Sequence, residues 1–314
     1  MADRADVCVL LPTLNEAETI GDVVAGFREQ GFENVLVVDG DSEDDTRSIA
    51  EEHGARVMIQ SGRGKGQAVR EAVGEIDAPY VLMADGDGTY RPADADAMLE
   101  PLFEGRVAHV IGDRFADMEP GAMTRLNAVG NRLINRLFAV VHGRDLSDIL
   151  SGYRAFTRES FERFRLDADG FGIETELAVE CVRQGVGVEV VPIRYESRPG
   201  SSETNLSPFR DGGRIVLTLY ALAKTNNPIF YFGSVASIAG LAGVGTGLFV
   251  GYRYFTAGVS HQVLALLAAF LVLLSVQLLM FGVLSDILVS ISREQARRLE
   301  ELSDRLEDLE GSER

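Results

Sequence analysis

The sequence predicts an α/β domain on a Rossmann-like sheet, followed by a two-helix transmembrane hairpin. Three observations predict it. Short apolar runs alternate with amphipathic stretches through the first two hundred or so residues, the pattern of βαβ units. Each run stops at a polar or glycine-rich segment, where ligands of an open sheet gather. Two uncharged stretches, Ile229 to Tyr252 and Tyr254 to Ser285, each exceed the roughly 20 residues that cross hydrocarbon.

Taken in order, Val7–Leu11, Asn34–Val38, Arg56–Ile59, Tyr80–Met83 and Val107–Ile111 read as strands. Helices are expected near 16–30, 45–53, 65–74 and 93–103, with a longer one from Met123 to Val141. A Pro/Gly/Ser-rich piece, Ser197 to Pro208, then leads to Phe209–Lys224, where Arg210, Arg214 and Lys224 mix with Ile215, Leu217 and Leu219. That mixture suits a helix lying in a membrane interface. The stretch Leu264–Leu274 is apolar on every face, unlike a half-buried helix. After it, Leu299, Leu302, Leu306 and Leu309 recur at three and four, as in a coiled coil or a single helix docking on its own domain. The expected units are 1–208 (sheet domain), 209–228 (interface helix), 229–285 (spans) and 286–314 (charged tail), with the spans or tail available for homo-oligomer formation.

Basic residues set the orientation. Arg210, Arg214 and Lys224 precede the spans, Arg293, Arg297 and Arg298 follow them, and the intervening loop offers only Arg253. Both ends therefore face the cytoplasm of a multi-pass cell-membrane protein. The apolar run ending at Pro12 is too brief for a signal-peptide core. A net charge of −18 excludes direct affinity for nucleic acid. Lys65 and Lys224 are the only lysines against 48 Asp and Glu, a balance that looks like adaptation to high salt. Cys8 and Cys181 have no metal-ligand spacing and read as two core thiols.

The chemistry concentrates at strand ends. Asp85 and Asp87 follow the fourth strand, and a spacing of two in extended chain projects both carboxylates to one side. Hard oxygen donors there suit Mg²⁺ or Mn²⁺, which also bind a nucleotide diphosphate. A calcium loop fits less well, because Tyr90 stands where such a loop needs glycine. Asp39 ends the second strand, placed to accept a hydrogen bond from a base or ribose, while Ser42, Asp44 and Asp45 are available as helix caps. Glu16 would hold a ribose hydroxyl or merely start a helix. Gly62-Arg-Gly-Lys-Gly66 fails both as a phosphate loop and as a dinucleotide fingerprint and reads as a basic turn, with Lys65, near the nucleotide.

In this order the segments resemble the family 2 glycosyltransferases of GT-A fold, and more narrowly the dolichyl-phosphate sugar synthases. The resemblance runs over residues 6–206. It is carried by Pro12 to Glu16, Val37-Val-Asp39 with Asp41-Ser42 and Asp45-Thr46, Gly64-Lys-Gly66, Ala84-Asp-Gly-Asp87, Gly112-Asp-Arg114 and Ser151-Gly-Tyr-Arg-Ala-Phe156. It implies a mixed GT-A sheet and a nucleoside site lined by Pro12, Leu14, Glu16, Val38 and Asp39, with Ala84 and Gly86 against the donor. Asp85 and Asp87, with Thr89 nearby, would hold the cation. Arg114 and Arg125 would grip the acceptor phosphate, and Arg198 the donor diphosphate. The family's basic Gly-x-Ser-Lys segment is replaced by Gly200-Ser-Ser-Glu-Thr-Asn205. The type most similar is a haloarchaeal dolichyl-phosphate hexosyltransferase of protein N-glycosylation.

The implied reaction moves a hexose from a nucleotide sugar, UDP-glucose or alternatively GDP-mannose, to dolichyl phosphate with inversion. A processive polysaccharide synthase needs a tryptophan in its acceptor motif, and this chain has none. A sugar nucleotidyltransferase would carry a glycine-rich loop where Pro12-Thr-Leu-Asn15 stands. An inactive membrane scaffold with a nucleotide-sensing domain is the alternative of another class, against which the intact Asp85, Asp87, Arg114 and Arg154 argue.

Overall fold

The computed structural model describes residues 2–167, 172–199, 213, 217, 220, 223, 224 and 227–312, with side chains described through Ile291 and at Gln295. The chain divides into two compact units, Met1–Leu219 and Tyr220–Arg314.

The first unit is a seven-stranded mixed sheet with helices on both faces. Its elements are β1 (Val7–Thr13), α1 (Ile20–Glu29), β2 (Val35–Asp39), α2 (Thr46–Glu52), β3 (Arg56–Ile59), α3 (Lys65–Gly74), β4 (Tyr80–Met83) and α4 (Ala95–Phe103). Then follow β5 (His109–Met118), α5 (Arg125–His142), β6 (Arg154–Thr157), α6 (Arg158–Glu162), α7 (Ile173–Gln184) and β7 (Val188–Tyr195). The strand order is β3-β2-β1-β4-β6-β5-β7. All pairs are parallel except those of β6, which runs antiparallel to both β4 and β5. The strands and helices expected up to residue 141 are present. The apolar pattern did not announce β6, α6, α7 and β7.

Period-two alternation explains why β1 is apolar throughout. Val7, Val9 and Leu11 join Phe27, Phe32, Met98 and Leu99 on one face, while Cys8 and Leu10 join Val69, Val73, Leu177 and Cys181 on the other. Each fully buried aliphatic of this kind contributes about 1.5–3 kcal/mol. Both cysteines are free and buried, as expected, and burial pushes their thiols up to about 12.

The helix α5 has two unlike faces. Ile134, Phe138 and Val141 are buried, whereas Leu126, Val129, Leu133 and Val140 are exposed beside Arg125, Arg132 and Arg136. Its 18 residues include no carboxylate.

The second unit contains two long helices, Pro228–Ala257 and Gln262–Ser312. Proline opens the first, where its missing N–H costs nothing, and the Asn227 side chain accepts from the Phe230 N–H at 3.1 Å. Over Pro228–Ala257 and Gln262–Ile291 they are long and apolar enough to cross a membrane, and their most apolar windows are only 11% and 6% buried. A soluble core helix would be mostly buried. The pair meets through small residues: a Cβ on Gly243 would lie 3.0 Å from the Ala268 carbonyl oxygen, and one on Gly240 2.8 Å from Ser275 Oγ. The second helix runs unbroken past residue 285 into the tail. Most of the expected interface helix and the Gly200–Asn205 segment lie outside the described residues, as do the side chains of the leucines of the tail's expected coiled coil.

Candidate active site

The parallel strands β1, β2, β3 and β4 deliver their carboxyl ends to one edge of the sheet. Asp39, Asp85 and Asp87 stand there, and Lys65, Glu174 and Arg198 reach it from α3, α7 and the segment after β7.

Asp87 is almost enclosed. Its Oδ1 accepts from the Thr89 N–H at 3.1 Å and from the Thr89 hydroxyl at 2.6 Å, and its Oδ2 accepts from Arg198 Nε at 3.1 Å and Nη2 at 2.7 Å. The same guanidinium lies 3.6 Å from Glu16. Burial, with Asp87 and Asp85 adding to it and Arg198 opposing, lifts the Glu16 carboxyl to about 7. Asp85 instead contacts the Lys65 ammonium, which also lies 2.5 Å from Glu174. Lys65 stays firmly charged: burial works against the ammonium, but Asp85 and Glu174 outweigh it. Gly86 is needed where it stands, since a Cβ would approach Thr13 Cγ2 to 2.5 Å, and its carbonyl accepts from Thr19 Oγ1 at 2.7 Å.

The loops after β1 and β2 are tied together. Ser42 Oγ accepts from the Asn15 N–H at 2.8 Å, Thr46 Oγ1 from the Glu16 N–H at 2.8 Å, and Asp44 from the Ala17 N–H at 3.2 Å. Ser42 therefore braces the neighbouring loop and does not cap α2, and Asp45, at the cap position, makes no side-chain cap bond. Asp39 is wholly buried and accepts from the Ser42 N–H at 2.8 Å and the Ser42 hydroxyl at 2.5 Å. Asn15 and Asp41 hold left-handed φ of 56° and 68°, backbone strain concentrated at this edge.

The expected site residues thus separate. Glu16, Lys65, Asp85, Gly86, Asp87, Thr89 and Arg198 converge, with Pro12, Asp39 and Ala84 at the strand ends behind them. Leu14 is exposed beside Gly40. Val38 points into the core with Leu10, Leu36 and Ala68, so its side chain lines no crevice. Arg114 is not an open phosphate grip: Asp148 takes its Nε at 2.6 Å and Nη2 at 2.9 Å, and its guanidinium lies 5.5 Å from the Tyr195 ring. Arg125 is exposed at the start of α5.

Three contributors carried no signal in the sequence. Glu174 and Asp148 are two acids among many until the fold sets them beside Lys65 and Arg114. Gln60, after β3, is nine-tenths buried next to Gly40, and its Oε1 has no hydrogen-bond partner among the described residues.

Residues 8–165 match the family model described as glycosyl transferase family 2. Glycosyltransferase AglJ of Haloferax volcanii is 62% identical over 297 residues, covering 94% of this chain and 98% of the relative. The dolichyl-phosphate hexose transferase of the same organism is 36% identical over 67% of this chain and 90% of its own length. Among solved structures, glucosyl-3-phosphoglycerate synthase from Mycobacterium tuberculosis in complex with Mn²⁺ and UDP-glucose superposes with a TM-score of 0.58 at 21% identity, over 69% of this chain and 79% of that one. At that identity the likeness speaks for the GT-A fold alone. An acidic edge on a mixed sheet, a family match over half the chain and a relative alike nearly end to end lead to one conclusion: this chain belongs to the family 2 glycosyltransferases.

Proposed function

We propose that the chain transfers a hexose from UDP-glucose to dolichyl phosphate with inversion, giving a dolichyl-phosphate hexose for protein N-glycosylation. The observation that carries the reading is the pair Asp85 and Asp87 at the sheet edge, each countered by a cation of the chain itself. Two carboxylates with the Thr89 hydroxyl are a hard-oxygen set that suits Mg²⁺ or Mn²⁺. Among the described residues no group of three or more His, Cys, Asp or Glu could hold a metal ion. Such a small set fits a cation whose remaining ligands are substrate phosphates and water. When bound, the cation supplies charge neutralisation at the departing diphosphate.

The chain's own residues do the rest. Arg198, poised on Asp87, offers the paired N–H donors that a diphosphate accepts. The acceptor phosphate is already an anion, so its oxygen forms the new bond to the anomeric carbon as the carbon–diphosphate bond breaks, and no base has to remove a proton. The electron pair leaves on the nucleoside diphosphate, and the configuration inverts. Arg125, exposed among Leu126, Val129 and Leu133, suits a phosphate that carries a hydrocarbon tail. The name of the Haloferax hexose transferase supports a hexose transferred to dolichyl phosphate. The two apolar helices would anchor the chain with both ends in the cytoplasm, as the arginine distribution favours.

Incubating membranes holding the chain with UDP-glucose or GDP-mannose, then weighing the organic-extractable lipid by mass spectrometry, tests this. A lipid-phosphate hexose of inverted anomeric configuration by NMR is expected from UDP-glucose with Mg²⁺ or Mn²⁺. No lipid product from either donor would sink the proposal, and product from GDP-mannose alone would move it to a mannosyltransferase.

A further inference from the structure

Lys65 is an unusual cation. It is one of two lysines in the chain, yet its side chain is only 11% exposed and spent on two carboxylates, Asp85 and Glu174. The backbone fixes both ends of this arrangement. Gly64 enters α3 with φ +95°, where a side chain would be strained, so Lys65 leaves the first turn towards the sheet edge. Glu174 lies in the first turn of α7, where the helix dipole favours a negative charge. The far oxygen of Asp85 faces Gly152, where a Cβ would sit 2.6 Å from Oδ2, so glycine leaves the carboxylate its room, and 30% of the Asp85 side chain stays exposed. Gly152 is itself pinned, its N–H donating to the Tyr90 hydroxyl at 2.9 Å.

Asp85 is thereby held by an ammonium on one oxygen, while the other stays open beside Gly152. If Lys65 swung out to grip a diphosphate, Glu174, with only 5% of its side chain exposed, would be left as a buried charge without its counter-ion. The lysine is better placed to stay. Asp87 differs, since its partner Arg198 is more open, with 26% of the side chain exposed.

We propose that Lys65 and Glu174 are positioning residues for Asp85: together they hold its carboxylate in the orientation that receives the donor and its cation, and Lys65 acts on the donor only through Asp85. This rests on the reading of Asp85 and Asp87 as the donor site.

The test is calorimetric binding of UDP-glucose and of GDP-mannose, each with Mn²⁺, to the detergent-solubilised full chain, with thermal unfolding alongside. Lys65→Met and Asp85→Asn should each weaken affinity about tenfold or more, the usual cost of losing an outer-shell partner. The double variant should bind no worse than Asp85→Asn alone. Lys65→Met/Glu174→Leu, an apolar replacement of the pair, should recover the melting temperature lost by Lys65→Met but not the affinity. Losses that multiply in Lys65→Met/Asp85→Asn would show direct contact between Lys65 and the donor and overturn the proposal. So would unchanged affinity in Lys65→Met, or affinity restored by the apolar pair. If the wild-type chain binds neither nucleotide sugar, the donor-site reading fails first and this one falls with it.

Discussion

The two units of this protein are built inside out with respect to each other. In Met1–Leu219 the aliphatic side chains of the sheet point inward, and buried charges such as Arg114 with Asp148 and Lys65 with Glu174 are paired. In Tyr220–Arg314 the helices turn Leu241, Leu248, Phe255 and Leu273 outward and pack on glycine. The difference is the one that the proposed membrane anchoring of the second unit calls for. Water drives aliphatics into a sheet domain, whereas hydrocarbon exerts no such drive, so helices in it associate where small residues let their backbones approach.

The sharpest way to break the contrast is at a charge whose proposed work is chemical. Asp87→Ala should lower hexose transfer about a thousandfold or more, on the scale of removing one preorganised electrostatic group, measured as labelled sugar in extracted lipid. Full turnover in that variant with chelator present would remove the cation from the site. Next comes a charge whose work is structural. Asp148→Ala strands the buried Arg114 guanidinium and should cost about 3–5 kcal/mol, read by denaturant unfolding of the detergent-solubilised chain.

A smaller effect probes the glycine side. Gly243→Ile would drive a side chain into the Ala268 carbonyl and Leu271, costing about 1–3 kcal/mol by overpacking, whereas Gly245→Ile, with nothing within 4 Å of its Cβ position, should be nearly silent. Equal thermal shifts in the two would mean that the helices do not pack as described.

The smallest effect is a pH dependence. Glu16 is lifted to about 7, chiefly by burial. The folded chain therefore holds a proton that the unfolded chain has lost above its ordinary carboxylate range. Its contribution is complete below about pH 4.5 and declines as pH rises through 7. Glu16→Gln removes the decline, so its melting temperature relative to wild type should rise between pH 5 and 8. Parallel profiles would place the Glu16 carboxyl in water.

Much of the sheet domain was legible because β1, β2 and β4 are apolar runs that stop at polar segments, β2 and β4 at the acids Asp39 and Asp85. The missing elements share a reason. The strand β6 begins with Arg154, a buried guanidinium that donates to the Ser151 and Ile149 carbonyls, so it shows no apolar pattern. The helix α7 buries Glu174 and Glu180, which by composition look like a solvated face. Spacing and resemblance named Asp85, Asp87 and Arg198, and the fold brings them to one edge of the sheet. Arg114 and Val38 were named without the partners that decide what they do.

The order of apolar runs, the acids at their ends and the two uncharged stretches are properties of the chain read along its length, and they determined the fold class, the site's edge of the sheet and the hairpin. Which charge meets which was decided by the tertiary structure alone. A residue's neighbours in space lie up to 111 positions away, as Arg198 does from Asp87. In a chain with 48 carboxylates, composition cannot select the few that folding takes out of water and pairs.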